Sequence, residues 1–364
     1  MAAKINTDKI YVQPLGLVRG PIHCDRVFKN LTGGNIYFAA VRIISRTKQG
    51  LEEKIVSIVD LDNFFKKKST TVAEKIKTIL NNIESPRGAL MLNNGSVIGW
   101  KKPVIQGVLN VTPDSFSDGG QYSDIELARP HAHEMISAGA DIIDIGGETT
   151  KPGAQSVSIK SEKDRVLPVI KNLATLNFPL SIDSRNAEVM NDAIQNGAHI
   201  INDVSALGHD LKSIGVVKKE DVPIILMHAQ GAPEIMQNNP QYSHILLDIY
   251  DYLESRIKMC IDAGIDKNKI IADPGIGFGK TVDHNLEILN GLSIFHGLGV
   301  PLLVGTSRKS FIGKITGEKV AENRVSGSIA AMLLCLEQGV QIVRVHDVEQ
   351  ATQAISVWNA AQKV

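Results

Sequence analysis

Little in this chain points to a secreted or membrane-bound protein. Its three cysteines, Cys24, Cys260 and Cys335, are an odd number among 364 residues and show no Cys-x-x-Cys spacing. They indicate neither a disulfide framework nor a zinc site, and they fit a reducing cytosol. The longest clean apolar run, Ile329 to Leu336, is far too short to span a bilayer. The opening MAAKINTDKIYVQP lacks the apolar core of a signal peptide. Charge of one sign is not in excess, since 39 basic residues balance 39 acidic ones. With no basic surplus to release counterions, nucleic acid and anionic membranes are poor partners, although a local pocket for one small anion is not excluded. HExxH, Cys/His metal spacing and a GxSxG elbow are missing too, so covalent catalysis is not indicated. The expectation is a soluble cytoplasmic protein that handles small molecules.

What is present is organised around Val104 to Gly120, VIQGVLNVTPDSFSDGG. A β-branched apolar run, ended by Pro and Gly punctuation, reads as a buried strand of a parallel sheet. The loop after it combines Asn110, Asp114 and Asp118 with Phe116 and a Gly-Gly end. Loops that carry chemistry on rigid scaffolds have this make-up, although an Asx-rich turn that only reverses the chain has similar polar residues.

From residue 103 onward strand, loop and helix alternate regularly. Strands are expected at Val104–Leu109, Asp141–Ile145, Pro179–Ile182, His199–Ile201, Pro223–Met227, Ile270–Ala272, Pro301–Val304 and Gln341–Val345. Amphipathic stretches such as Ser123–Ala138, Ala187–Asn196, Ser243–Ala263 and Ala321–Gln338 lie between them. Eight such units match an α/β fold of the (β/α)8 TIM-barrel type; an open doubly wound sheet is the rival, but even spacing favours closure. Residues 1–102 read as a small N-terminal α+β accessory domain. Its strands are expected at Asn35–Arg46 and Lys54–Leu61, with a Thr-capped helix at Thr70–Ile83.

A barrel puts its chemistry just past the strands, and polar groups stand there in order. They are Asn110, the Gly146–Gly153 loop, Asp183, Asn202, His228, Asp273, Ser307 to Ser310, and Arg344 with His346. Each has a bland alternative: Asp183 could cap a helix, Asn202 could bridge strands, and His228 could be a satisfied core histidine. Eight polar strand ends at one mouth are harder to explain that way. Asp183 and Asp273, with Asn202 and Lys309, could pair with the guanidine or amidine edge of a heterocycle. Asn110, Arg344 and His346, which meet where the last strand joins the first, could form an anion pocket. The run Asp273–Thr281 is not a Walker A loop, because Pro274 stands where glycine is required. Its glycines instead suit close backbone approach beneath a flat ligand, with Phe278 as an apolar wall.

The ordered set NVTPDSFSDGG, GGETTKPGA, SIDS, NDVSAL, MHAQG, DPGIGFGKT, TSRKSFIG and RVHD closely resembles the dihydropteroate synthase family over essentially all of residues 103–364. The resemblance implies condensation of 4-aminobenzoate with 6-hydroxymethyl-7,8-dihydropterin pyrophosphate, with release of pyrophosphate, in folate biosynthesis. It implies a pterin site of Asp183, Asn202, Met227, Asp273 and Lys309, with Asp183, Asp273, Lys309 and Asp118 counted as catalytic. Pyrophosphate falls to Asn110, Arg344 and His346, and Mg2+ to Asn110 and Asp118 together with the substrate. The 4-aminobenzoate site, also the sulfonamide target, would take in Phe116, Thr150, Lys151, Pro152, Phe278 and Ser310. A homodimer through outer-wall helices is implied as well. The family commonly has Ser and Arg where this chain has Thr149 and Lys151; lysine keeps the charge but loses the planar fork. Two other readings remain: a methyltetrahydrofolate:corrinoid methyltransferase-like barrel, and a non-catalytic pterin- or phosphate-binding barrel.

Overall fold

The computed structural model describes residues 9–20, 26–111, 121–148, 157–231, 236 and 239–362, with the side chains of 121–125 excluded. The chain opens with strands β1 (Lys9–Arg19), β2 (Lys29–Asn30), β3 (Ile36–Thr47) and β4 (Gly50–Ser57). Helices α1 (Leu61–Lys66) and α2 (Thr70–Glu84) follow, and then a hairpin of β5 (Leu90–Met91) and β6 (Val97–Ile98). β1 lies on one side of β3, and β2 and β4 pair with its other side, all antiparallel. Val12, Phe38, Val41 and Ile43 of the sheet pack against Ile76, Leu80 and Ile83 of α2.

Three details of this part differ from expectation. β1 is a strand despite Pro14 and Gly16. Gly16 (φ +62°) is skipped in the ladder, and the Pro14 carbonyl points outward to accept a 3.0 Å hydrogen bond from Ser293 Oγ. Its missing N–H therefore lies on the side that β3 does not use, where an edge strand tolerates proline. The strand expected at Lys54–Leu61 stops at Ser57, the last residue with a partner on β3, and the chain turns helical from Ile58. α2 begins at Thr70, with Ser69 as its N-cap, and neither end is closed by a side-chain cap bond.

The remainder alternates as expected. The strands are β7 (Val104–Asn110), β8 (Ile142–Gly146), β9 (Leu180–Asp183), β10 (Ile200–Asp203), β11 (Ile224–Met227), β12 (Ile270–Asp273), β13 (Leu303–Val304) and β14 (Ile342–Val345). Between and after them run α3 (Gln121–Ser137), α4 (Ile159–Ala174), α5 (Ala187–Gln195), α6 (Ser213–Glu220), α7 (Ile245–Asp262), α8 (Val282–Gly291), α9 (Ser310–Thr316), α10 (Val325–Leu336) and α11 (Val348–Ala361). Caps set several boundaries. Ser158 Oγ accepts the Ser161 N–H at the start of α4, and Thr281 with His284 forms a capping box on α8. Gly139 (φ +106°) and Gly197 (φ +109°) provide the left-handed residue after α3 and α5.

All eight strands pair in parallel in the order β12-β11-β10-β9-β8-β7-β14-β13, and an isolated Ala272–Leu302 bridge closes the ring. The fold is a TIM barrel with an added N-terminal α+β unit. Its lower interior layer is apolar: Val104, Ile142, Ile200, Ile225, Ile271, Leu303 and Ile342 meet Leu90, Leu92 and Ile98 of the hairpin. The hairpin thus plugs the end of the barrel where the strands begin. The N-terminal sheet docks on the outer wall. Arg46 reaches Asp248 at 2.8 Å and Asp251 at 3.1 Å, and Asn82 Nδ2 donates to the Gly297 carbonyl at 2.9 Å. Among the described residues no helix is long and apolar enough to cross a membrane.

Candidate active site

β7, β9 and β12 run one residue further into polar sequence than expected, and β10 two, because the ladder needs only backbone groups. Asn110, Asp183, Met227 and Asp273 are each the last residue of their strand. Register then levels them. Asp183 stands beside Gly146 and Asn202, and Met227 beside Asp273. The Gly146 position is bounded on both sides: a Cβ there would lie 3.6 Å from Asn110 Oδ1 and 3.6 Å from Asp183 Cβ. Those two side chains thus share one corner of the mouth on either side of Gly146.

At the centre of that corner is a residue that the sequence reading passed over. Asp144, wholly buried on β8, accepts from Arg344 Nε at 2.7 Å, from Asn202 Nδ2 at 3.0 Å and from Ser181 Oγ. Gln106 Nε2 in turn donates to Ser181 Oγ at 2.9 Å. Arg344 extends its Nη2 to Asp183 Oδ2 at 2.8 Å, so one guanidinium bridges two carboxylates. The available signal was a lone carboxylate inside the apolar run Ile142–Gly146, which a buried strand tolerates only when the charge is paired. Burial pushes the Asp183 carboxyl above its usual range; Arg344 opposes this shift and Asp144 adds to it.

The other half of the mouth is built on β12 and the segment after β13. Asp273 Oδ1 accepts the Gly275 N–H at 2.7 Å, and its carboxyl is raised by burial against the pull of that bond and of Lys309. Lys309 lies with Nζ 4.0 Å from the centre of the Phe278 ring, a cation–π contact. Burial, aided by Arg344, lowers its ammonium, while Asp273 and Asp183 act in the opposite sense. The two halves therefore face each other across one space.

The glycines after Asp273 also allow close packing against neighbouring protein groups. A Cβ on Gly275 would come 1.9 Å from the His228 carbonyl, and one on Gly277 would come 3.0 Å from Lys309 Cδ. These positions lie too close to the neighbouring chain to carry a side chain. His228 is a packed core histidine: its ring stands edge-on to Tyr252, and its Nδ1 is 3.0 Å from the buried Lys280 Nζ. Lys280 also donates to the Phe278 carbonyl at 2.9 Å, and burial lowers its ammonium to about 7.

His346 Nδ1 lies 3.1 Å from Ser307 Oγ at the junction of β14 and β13, and Ser310 is exposed at the start of α9. Arg185 grips Glu148 through two bonds of 2.9 and 3.1 Å, and Glu148 also accepts the Val157 N–H. The Val157 bond to Glu148 ties together both ends of the loop after β8, and Arg185 anchors it to the end of β9. Phe116, Asp118, Thr150, Lys151 and Pro152 lie outside the described residues. Of the expected metal ligands only Asn110 is described, and among the described residues no three His, Cys, Asp or Glu side chains gather as ion ligands.

A polar-lined barrel mouth of this kind has relatives. Residues 106–346 match the family model described as pterin binding enzyme. The dihydropteroate synthase of Neisseria meningitidis serogroup B is 46% identical over 268 residues, covering 72% of this chain and 94% of its own length. The Yersinia pestis dihydropteroate synthase, solved with a sulfonamide drug complex, is 42% identical with a TM-score of 0.72, covering 76% of this chain and 99% of that one. The Xanthomonas albilineans enzyme in complex with 7,8-dihydropteroate is 39% identical with a TM-score of 0.69, covering 76% and 100%. On these matches, together with the barrel and its paired strand-end carboxylates, the chain belongs to the dihydropteroate synthase family of pterin-binding enzymes.

Proposed function

We propose that the barrel mouth joins 4-aminobenzoate to 6-hydroxymethyl-7,8-dihydropterin pyrophosphate and releases pyrophosphate. The observation that carries this reading is the convergence of Asp183, Asn202, Asp273 and Lys309 on one space in a barrel of this family. Asp273 and Asn202 would pair with the amidine edge of the pterin, with Met227 beneath it and Lys309 at its rim. The C–O bond at the pterin methylene breaks and its electron pair leaves with the pyrophosphate. The amine lone pair then forms the C–N bond, and the surplus amine proton passes to solvent. Carboxylates at Asp183 and Asp273 would stabilise positive charge developing on the methylene and ring.

Arg344, Asn110 and His346 would receive the leaving group. Arg344 is already held by Asp144 and Asp183, which orients its guanidinium before any anion arrives. Magnesium, when bound, would neutralise pyrophosphate charge and take most of its ligands from substrate oxygens and water, as that ion commonly does. Phe278 and Ser310, with Phe116, Thr150, Lys151 and Pro152, would hold 4-aminobenzoate, and Asp118 would assist the metal. Residues 103–364 are read as the catalytic unit and 1–102 as an accessory one. The same reading makes the protein cytoplasmic, which the buried free thiols of Cys260 and Cys335 favour, and homodimeric. Exposed Leu334 and Val357 on the outer helices support the last point.

The test is an assay that detects dihydropteroate. Asp273→Asn should lower turnover by about 10²–10³ through loss of one charged, preorganised contact. A sulfonamide should compete with 4-aminobenzoate in the same assay. Absence of turnover by the unaltered chain with both substrates and magnesium would refute the reading.

A further inference from the structure

A second cavity, of about 640 Å³, lies at the opposite end of the barrel from the mouth, between the N-terminal sheet, the chain after the β5–β6 hairpin, and the α10–α11 side of the wall. Its volume falls in the range of small-molecule sites. Both tryptophans of the chain, Trp100 and Trp358, line it. So do three cations, Arg87, Lys101 and Lys102, and none of its described lining residues is acidic. In a chain whose charges balance overall, that is a local positive field. Lys102 is partly offset by Asp141, 2.9 Å away, whereas Lys101 is exposed at the rim.

The polar lining is also incompletely used. Gln362 is 6% exposed, and among the described residues its Nε2 is buried without a hydrogen-bond partner. Arg87 spends its two terminal nitrogens on the Asn82, Ser85 and His296 carbonyls, and among the described residues its buried Nε has no partner. Those carbonyls carry no formal charge, so the guanidinium is bonded but not neutralised, and burial lowers it to about 10. A buried cation facing only dipoles favours an anion nearby. Indole faces favour flat rings.

We propose that this cavity is a second, non-catalytic binding site for a planar aromatic carboxylate, held between Trp100 and Trp358 with its charge toward Arg87 and Lys101. The site depends on the N-terminal residues, because Leu31 to Ile36 form one of its walls. It is independent of the reaction at the mouth.

The test uses the full chain labelled with 5-fluorotryptophan, whose two ¹⁹F resonances are assigned by Trp100→Phe and Trp358→Phe. The ligand is 2-naphthoate; 2-naphthamide serves as the uncharged control and cyclohexanecarboxylate as the non-planar one. Saturable shifts of both resonances with naphthoate are expected, with either control binding at least about tenfold more weakly. Lys101→Glu, an exposed change that leaves the fold intact, should weaken naphthoate by about tenfold through charge reversal at the rim. Resonances unmoved at millimolar naphthoate overturn the proposal. So does an equal response to the amide, or unchanged naphthoate affinity in Lys101→Glu protein with an unaltered melting temperature.

Discussion

At the scale of single residues, the site is arranged around charges that have been removed from water and then paired. Asp144 is the clearest case, because it touches no ligand in the proposed reaction and yet meets Arg344, Asn202 and Ser181 at once. Asp144→Asn would remove one of the two carboxylates paired with Arg344, leaving Asp183 as the charged partner. Breaking a buried pair from one side costs about 3–5 kcal/mol, so the urea midpoint should fall markedly. Turnover should fall with it, by about 10-fold or more, since Arg344 loses its fixed orientation. Unchanged turnover in folded protein would separate Asp144 from the chemistry. Lys280 carries a pH signature. Its folded-state value of about 7 lies below the ordinary 10.5, so the unfolded chain binds the extra proton between those values. Stability from this residue therefore rises as pH increases from about 7 to 10.5, and is flat below that window. Denaturant midpoints of the parent chain and of Lys280→Met, compared across pH 7 to 10, should diverge in the parent's favour. A constant difference would mean that Lys280 is not held in a desolvated position.

At the scale of elements, two short pieces matter more than their length suggests. The first is the hairpin at 90–98, which fills the lower end of the barrel with Leu90, Leu92 and Ile98. Leu90 is fully buried, and Leu90→Ala should cost about 2–5 kcal/mol by leaving a cavity beneath the strands. Because the hairpin is at the far end from the mouth, KM values should stay near those of the parent. A midpoint that does not move would show that the hairpin is not lodged there. The second piece is the loop Pro274–Lys280, bound to the residues after β11 by close backbone approach at Gly275 and by Lys280. This contact makes the ends of β11 and β12 one rigid corner on which Met227 and Asp273 sit.

At the scale of the whole molecule, the N-terminal unit is joined to the barrel by packing as well as by charge. Tyr11 and Ile44 belong to the same apolar cluster as the barrel helices, and Arg46 pairs with Asp248 and Asp251 from a largely buried position. Removal of residues 1–86 should expose that surface. The full chain is expected to melt in one calorimetric transition, and the truncated chain several degrees lower or with loss of solubility. Two well-separated transitions in the full chain would show that the units unfold independently.

Composition and periodicity were sufficient for the barrel itself, because eight buried parallel strands must be apolar on both faces and the helices between them amphipathic. Local sequence was also sufficient to put polar residues at the strand ends, since each is a break in an apolar run. What it did not determine was which of those residues would meet. Asp144 and Arg344 are 200 positions apart, and only closure of the ring brings β14 beside β7 and across from β8. Local pattern did not disclose β1, whose proline and glycine interrupt a strand signal; its outward Pro14 carbonyl is taken by Ser293, 279 residues away. The hairpin at residues 90–98 was not legible in the sequence, because a two-residue strand has no period of its own; its place is decided by the hole it fills. The sequence by itself determined which segments could be buried. The tertiary structure alone decided which buried charges are neighbours, since pairing across a closed barrel is set by register and ring order rather than by distance along the chain.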